Sequence, residues 1–171
     1  FVAARCESGA VFTWGLNMRG ELGRPTRPMK GADGKYDADV VFNDLLTPAE
    51  PLLPSGAPVQ AARTMGCGGY HFIVAVVDGV YAAGLNNYGQ LGIGSTADKF
   101  NTFVKASITD VESVAAGNHL TMALKKDGSV WSAGQLGKRS STFKKVMDGD
   151  AKAIAAGHEH ALVLKTDGSV W

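Results

Sequence analysis

The chain has 171 residues, of which 45% are hydrophobic and 19% charged, and its formal net charge is +1. This composition is typical of a globular protein with one ordinary core and excludes a disordered or collagen-like chain. The near-neutral charge gives no general attraction to nucleic acid, and no apolar run approaches the roughly 18 residues that a membrane-spanning helix needs. Cys6 and Cys67 lack the spacing of a zinc site, so we expect small buried thiols in a reducing compartment.

The first 23 residues predict the end of a β-rich repeat. Residues 1–6 and 11–14 are short apolar runs on either side of a turn. The next nine residues, 15–23 (GLNMRGELG), return later as residues 84–92 (GLNNYGQLG). An asparagine in third place can bond its own backbone, and a glycine in sixth place can adopt a positive φ. We expect a tight loop whose leucine packs into the core.

Residues 24–58 form an irregular insertion that contains all six prolines. A segment of this length in a compact domain is typical of a functional loop, with a possible short strand at residues 40–42. Two stretches of the chain are locally basic and could contact an acidic partner, although solvated loop charge is the simpler interpretation. The candidate contact residues are Arg24, Arg27, Lys30 and Lys35 in the insertion and Lys138, Arg139, Lys144 and Lys145 further on.

The remainder of the chain is repetitive. Residues 115–131 (AAGNHLTMALKKDGSVW) return forty positions later as residues 155–171 (AAGHEHALVLKTDGSVW). Residues 59–92 carry a related copy ending in the nine-residue loop. In the middle copy that loop is cut to four residues, 134–137. Each copy has short apolar runs separated by an Asp-Gly hairpin turn, without helical periodicity.

This pattern predicts an all-β chain. A period of 40 to 50 residues indicates a β-propeller with four-stranded antiparallel blades, because one blade cannot bury both faces alone. The chain supplies about three blades of a partial ring. We assign residues 1–23 to the end of a blade, 24–58 to the insertion loop, 59–110 and 111–150 to two blades, and 151–171 to the start of a further blade.

Several motifs resemble the regulator of chromosome condensation repeat family. They are residues 68–71 (GGYH), 78–81 (DGVY) and 84–92, together with 157–160 (GHEH) and 167–171 (DGSVW). The family's histidine position holds His71 and His160, but Leu120 in the middle copy, where His119 stands one place early. The resemblance implies a ring of seven blades, so we expect a longer chain or a second chain to complete it.

The histidines and the turn aspartates are better explained by structural roles than by catalysis. His71, His119, His158 and His160 have no visible third metal ligand nearby, and the resemblance implies that the family histidine bonds backbone within its own blade. Asp78, Asp127 and Asp167 recur at hairpin turns, where aspartate bonds its own backbone. Phosphate-binding loops and nucleophile elbows are missing. We expect neither an enzyme nor a bound cofactor or metal.

Three functions compete. We expect a protein-interaction scaffold that docks within a multi-subunit complex through its faces and residues 24–58. The alternative implied by the resemblance is a guanine-nucleotide exchange factor for a Ran-type small GTPase that also binds chromatin. A light-sensing propeller is disfavoured. The plant ultraviolet photoreceptor, which resembles this family, uses a Gly-Trp-Arg-His-Thr motif, and the corresponding places here read Gly69-Tyr70-His71-Phe72, without a tryptophan. Without a visible signal peptide we expect an intracellular protein, cytoplasmic or nuclear, with an organelle left open.

Overall fold

The computed structural model describes residues 1–27, 33–35 and 46–171, and within them the secondary structure is entirely β. Twelve described strands form four antiparallel sheets, which follow one another in chain order as blades 1 to 4. The expected all-β propeller architecture with four-stranded blades is therefore confirmed. Among the described residues no helix is long and apolar enough to cross a membrane.

Blades 2 and 3 have four strands, and blades 1 and 4 have two. Blade 1 contains β1 (Val2–Arg5) and β2 (Val11–Trp14). Blade 2 contains β3 (Thr64–Cys67), β4 (His71–Val76), β5 (Gly79–Leu85) and β6 (Lys99–Lys105). Blade 3 contains β7 (Val111–Ala116), β8 (Leu120–Lys125), β9 (Val130–Leu136) and β10 (Lys138–Met147). Blade 4 contains β11 (Ala151–Ala156) and β12 (Ala161–Lys165).

The hydrophobic core lies between the blades, and β4 shows how one strand serves two interfaces. All six of its residues are buried. Successive side chains on a strand point to opposite faces. Accordingly Ile73 and Ala75 join the cluster between blades 2 and 3, whereas Phe72 and Val74 join the cluster between blades 1 and 2. Strand β8 repeats the arrangement with Ala123 towards blade 2 and Met122 towards blade 4. Blades 2 and 3 are thus each held by both neighbours.

The nine-residue loops hold consecutive blades together. Asn86 Oδ1 accepts a hydrogen bond from the backbone N–H of Leu91 at 3.1 Å, and Leu91 is fully buried. Gly89 has φ +81°, and a Cβ there would lie 2.5 Å from the Cα of Ser141 in blade 3. The loop at residues 15–23 makes the equivalent asparagine bond. The expected roles of asparagine, glycine and leucine are confirmed.

The Asp-Gly turns are stabilised locally. Asp127 Oδ1 accepts hydrogen bonds from the Ser129 N–H and hydroxyl, and the Trp131 indole N–H donates to that hydroxyl oxygen. These bonds lower the pKa of Asp127. Blade 2 lacks the serine after its Asp-Gly pair, and there Asp78 accepts from the Tyr81 hydroxyl instead. The expectation that aspartate bonds the backbone of its own turn is confirmed for Asp127 and Asp167, whereas Asp78 bonds a side-chain hydroxyl.

Part of the 24–58 segment belongs to blade 1. Ala49 pairs with Thr13 of β2 through two backbone hydrogen bonds, in the position that β6 takes beside β5. Residues 52–58 then form a small hairpin closed between Leu52 and Pro58. The possible strand at residues 40–42 lies outside the described residues. The expectation of buried thiols is wrong, because Cys6 and Cys67 are both exposed and unpaired.

Candidate interaction surface

The two ends of the blades differ in their connections. We call the end that carries the β3–β4, β5–β6, β7–β8, β9–β10 and β11–β12 connections the loop end. The opposite end carries the β4–β5 and β8–β9 hairpin turns, and we call it the turn end. Because neighbouring strands are antiparallel, alternate connections gather at the same end. The loop end carries the long β5–β6 connection, residues 86–98, and the chain leaves β2 there towards residues 24–58.

Exposed apolar side chains are prominent at the loop end. Met18 is 58% exposed and Leu16 44% exposed, both in the loop that follows β2. Tyr70, in the β3–β4 connection of blade 2, is also 44% exposed. Large apolar side chains left in water on a loop surface are typical of a protein-binding site. This end of blades 1 and 2 is a candidate interaction surface.

The basic residues described in the 24–58 segment differ in burial. Arg24 is buried, and its Nη2 donates to the carbonyl oxygens of Thr13 and Thr47 at 3.2 and 3.4 Å. Its side chain therefore supports the chain as it leaves blade 1. Arg27 and Lys35 are exposed. Lys30 lies outside the described residues.

The four basic residues of β10 are exposed but separate into two pairs. Lys138 and Arg139 pair with Leu136 and Gln135 at the loop end. Lys144 and Lys145 lie opposite Ser132 and Trp131, nearer the turn end. A bulge in β10 reduces their separation from the first pair to four residues of β9, about 13 Å at roughly 3.3 Å per residue. Lys145 also binds Asp148 at 2.6 Å. The structure thus places Lys138 and Arg139 alone beside the other loop-end residues.

His71 is completely buried and links two blades. Its Nε2 lies 2.8 Å from the hydroxyl oxygen of Thr121 in blade 3. That hydroxyl donates its one hydrogen to the Gln90 carbonyl oxygen at 2.7 Å, so Nε2 carries a proton and donates it. Burial, with a smaller contribution from His119, lowers the pKa of His71 to about 3. The ring is therefore neutral at pH 7.

The expectation that the family histidine bonds the backbone of its own blade is wrong for His71. His71 shares a face of β4 with Ile73 and Ala75, and that face packs on blade 3. The ring consequently points at Thr121 in the neighbouring blade. Leu120 occupies the equivalent place in blade 3: its carbonyl oxygen accepts the Gly117 N–H, as the His71 carbonyl oxygen accepts the Gly68 N–H. Its side chain packs towards blade 4. His160 in blade 4 is exposed.

A stack of side chains from blades 2 and 3 lies at the loop end. The ring centroids of Tyr88 and His119 are 4.2 Å apart at 16°, and those of Tyr70 and His119 are 6.4 Å apart at 19°. The Arg139 guanidinium carbon lies 4.0 Å from the Tyr88 centroid. His119 Nδ1 is buried, without a hydrogen-bond partner in the described chain. Burial, His158 and Arg139 lower the pKa of His119, whereas Glu159 opposes them.

The sequence did not reveal this stack. Its members come from different blades and from positions where the repeats differ, since Tyr88 stands where the loop of blade 1 has Arg19. The available signal was the displacement of His119 from the family's histidine position, which left its side chain outside the blade core. Within the described part of the chain no three His, Cys, Asp or Glu side chains are placed to hold a metal ion.

Antiparallel four-stranded blades that bury their faces against one another define the class of β-propellers. Residues 8–75 and 78–124, more than half of the chain, match the family model described as Regulator of chromosome condensation (RCC1) repeat. The chain therefore belongs to the regulator of chromosome condensation repeat family, as its motifs indicated.

Known proteins are similar to this chain in sequence. The chain is 37% identical over 87 residues to the X-linked retinitis pigmentosa GTPase regulator of Mus musculus, covering 46% of this chain and 9% of that protein. It is 30% identical over 122 residues to the Regulator of chromosome condensation of Drosophila melanogaster, covering 70% and 21%. The chain thus spans only a fraction of either relative.

A solved structure supports the fold. The crystal structure of Prp20p from Saccharomyces cerevisiae, reported with its binding properties to Gsp1p and histones, superposes with a TM-score of 0.75 at 22% identity. The superposition covers 97% of this chain and 41% of Prp20p.

Proposed function

We propose that the protein is a non-enzymatic interaction scaffold that docks a protein partner at its loop end within a larger assembly. The observation that carries this proposal is the exposure of Leu16, Met18 and Tyr70 there. The repeated residues support the same function, because their hydrogen bonds and burial hold the blades and leave the variable loops to make contacts. We expect the partner to meet this protein in the cytoplasm or the nucleus.

A pair of charge substitutions tests the docking face. Met18→Asp places a carboxylate on the exposed apolar surface, and we expect partner recovery to fall at least about tenfold because the charge would be desolvated in the interface. Val77→Asp is the matched control, since Val77 is 71% exposed at the turn end. Recovery is measured by quantitative mass spectrometry after crosslinking of the native complex. Loss with Val77→Asp but not with Met18→Asp would contradict the proposal.

A second function has a specific motivation. One relative is named a GTPase regulator and another a Regulator of chromosome condensation, which keeps guanine-nucleotide exchange on a Ran-type GTPase as the alternative. Under the scaffold proposal, adding the protein should change release of a fluorescent guanine nucleotide from such a GTPase by less than about twofold. The matching measurement omits the protein. Acceleration by several orders of magnitude would replace the scaffold by the exchange factor.

A further inference from the structure

The backbone of His119 is fixed, and its ring is held by stacking. The His119 carbonyl oxygen accepts the Gln135 N–H at 2.8 Å, which ties the start of β8 to β9. The ring centroid lies 4.2 Å from that of Tyr88 and 6.4 Å from that of Tyr70. The Arg139 guanidinium carbon is 4.0 Å from the Tyr88 centroid, and two groups this close to one centroid cannot share a face. The Tyr88 ring therefore lies between His119 and Arg139.

Protonation disfavours this position of the His119 ring. An imidazolium carries an N–H on both nitrogens, whereas Nδ1 is buried and has no hydrogen-bond partner in the described chain. A proton on Nδ1 would make it a buried charged donor without an acceptor, which is costly. Arg139, on the far face of Tyr88, would become the second cation on one ring. The stack is therefore built for a neutral imidazole.

A cleft beside His119 offers the protonated ring another position. The loop of blade 3 that corresponds to residues 84–92 has only residues 134–137, and a Cβ at Gly137 would meet no described atom within 4 Å. The resulting cleft has a volume of about 210 Å³ and is lined by His119, Gln135, Gly137, His158 and Glu159. The formal charge among these residues is the carboxylate of Glu159, which is 86% exposed. Space, solvent and a negative charge thus lie on the cleft side of His119.

The charges around His119 oppose one another. Glu159 Oε1 lies 3.8 Å from His158 Nδ1, so both come from the same side of the cleft. Burial first, and then His158 and Arg139, lower the pKa of His119, whereas Glu159 raises it. The carboxylate therefore attracts a positive ring that the stack repels. The groups that face His119 are Arg139 of β10, His158 and Glu159 of the β11–β12 connection, the buried neutral His71 of β4, and the rings of Tyr70 and Tyr88.

We propose that His119 is a proton-sensitive latch between blades 2 and 3. While neutral, its ring stacks on Tyr88 and helps to hold residues 84–92 against blade 3. Once protonated, the ring turns into the cleft towards Glu159 and leaves Tyr88 without its support. One consequence rests on the proposed function: because Tyr70 of the candidate interaction surface loses the same ring, docking would weaken in mild acid.

Hydrogen exchange of the purified protein, followed by NMR at pH 7.5 and 5.0 and corrected for intrinsic exchange rates, tests the latch. The Leu91 N–H is bonded to Asn86 Oδ1 in the loop that carries Tyr88. The Leu22 N–H is bonded to Asn17 Oδ1 in the equivalent loop of blade 1, and it serves as the internal control. On acidification, protection of the Leu91 N–H should fall at least about threefold more than that of the Leu22 N–H, because the latch opens locally.

Two variants assign this extra loss to His119 and the cleft. His119→Phe keeps a ring beside Tyr88 that cannot be protonated, and it retains His71, so the extra loss at Leu91 should disappear. Glu159→Gln removes the attracting carboxylate and should reduce the extra loss at least about twofold. Glu112→Gln is the matched control, since Glu112 is an exposed glutamate at the turn end of β7, and it should leave the extra loss unchanged.

Three results would overturn the latch. They are an equal fall at Leu91 and Leu22 in the wild type, an extra loss that survives His119→Phe, and an extra loss that Glu159→Gln leaves unchanged or enlarges. Because these measurements contain no partner, their failure is distinguishable from failure of the Met18→Asp test.

Discussion

Replacing His71 with leucine is expected to remove an acid-sensitive part of the stability of the protein. The imidazole has a pKa of about 3 when folded and about 6.5 when exposed. Between these values the unfolded chain binds more protons, so the free energy of unfolding falls as the pH drops below 6.5. The slope approaches about 1.4 kcal/mol per pH unit, and the loss at pH 5 is about 2 kcal/mol.

Leucine cannot be protonated, so His71→Leu should lack this component. At pH 7.5 the variant should be less stable by about 1–3 kcal/mol, because the hydrogen bond to Thr121 is lost while Thr121 still donates to Gln90. The two stabilities should therefore converge on acidification. Urea denaturation at pH 7.5 and 5.0 measures both effects.

His160→Leu is the control for the equivalent position, where the histidine is exposed. It should alter the free energy of unfolding by less than about 0.5 kcal/mol at either pH. If wild type and His71→Leu lose the same stability between pH 7.5 and 5.0, the buried neutral imidazole is not the cause.

Substituting Gly89 with alanine is expected to destabilise the junction between blades 2 and 3. Gly89 has φ +81°, and a Cβ there would lie 2.5 Å from Ser141 Cα and 2.8 Å from the Ser140 carbonyl oxygen. Backbone atoms of a packed strand cannot move aside as a flexible side chain could. Gly137 has φ +68° but open space around it, so Gly137→Ala carries only the cost of the left-handed conformation, about 1–2 kcal/mol.

Gly89→Ala should exceed Gly137→Ala by at least about 2 kcal/mol in the free energy of unfolding, which reflects overpacking at the blade junction. Urea denaturation of both variants at pH 7.5 gives the comparison. Equal destabilisation would mean that backbone conformation, rather than contact between blades, requires glycine at position 89.

The repeats predicted the blades because the same local chemistry recurs in each copy. Asp127 with Ser129 and Asn86 with Leu91 interact within a few residues, and such contacts can be inferred from spacing. Contacts between blades were not predictable in this way. The Tyr88–His119 stack and the His71–Thr121 bond depend on which strand face meets which neighbour. Likewise, the sequence presents the basic residues of β10 as one stretch, but in the fold they lie in two places, because an extended strand separates Arg139 from Lys145.

Because β4 is buried on both faces, the alternation of its side chains decides which neighbouring blade each residue contacts. Odd-numbered residues from His71 to Ala75 specify the junction with blade 3, and the even-numbered Phe72 and Val74 specify the junction with blade 1. One residue inserted within the strand would move every side chain beyond it to the opposite face, so that residues suited to one junction would face the other. The described residues 24–27, 46–48 and 53–58 lie outside the named strands, where a change of length would leave the side-chain alternation of each strand unaltered.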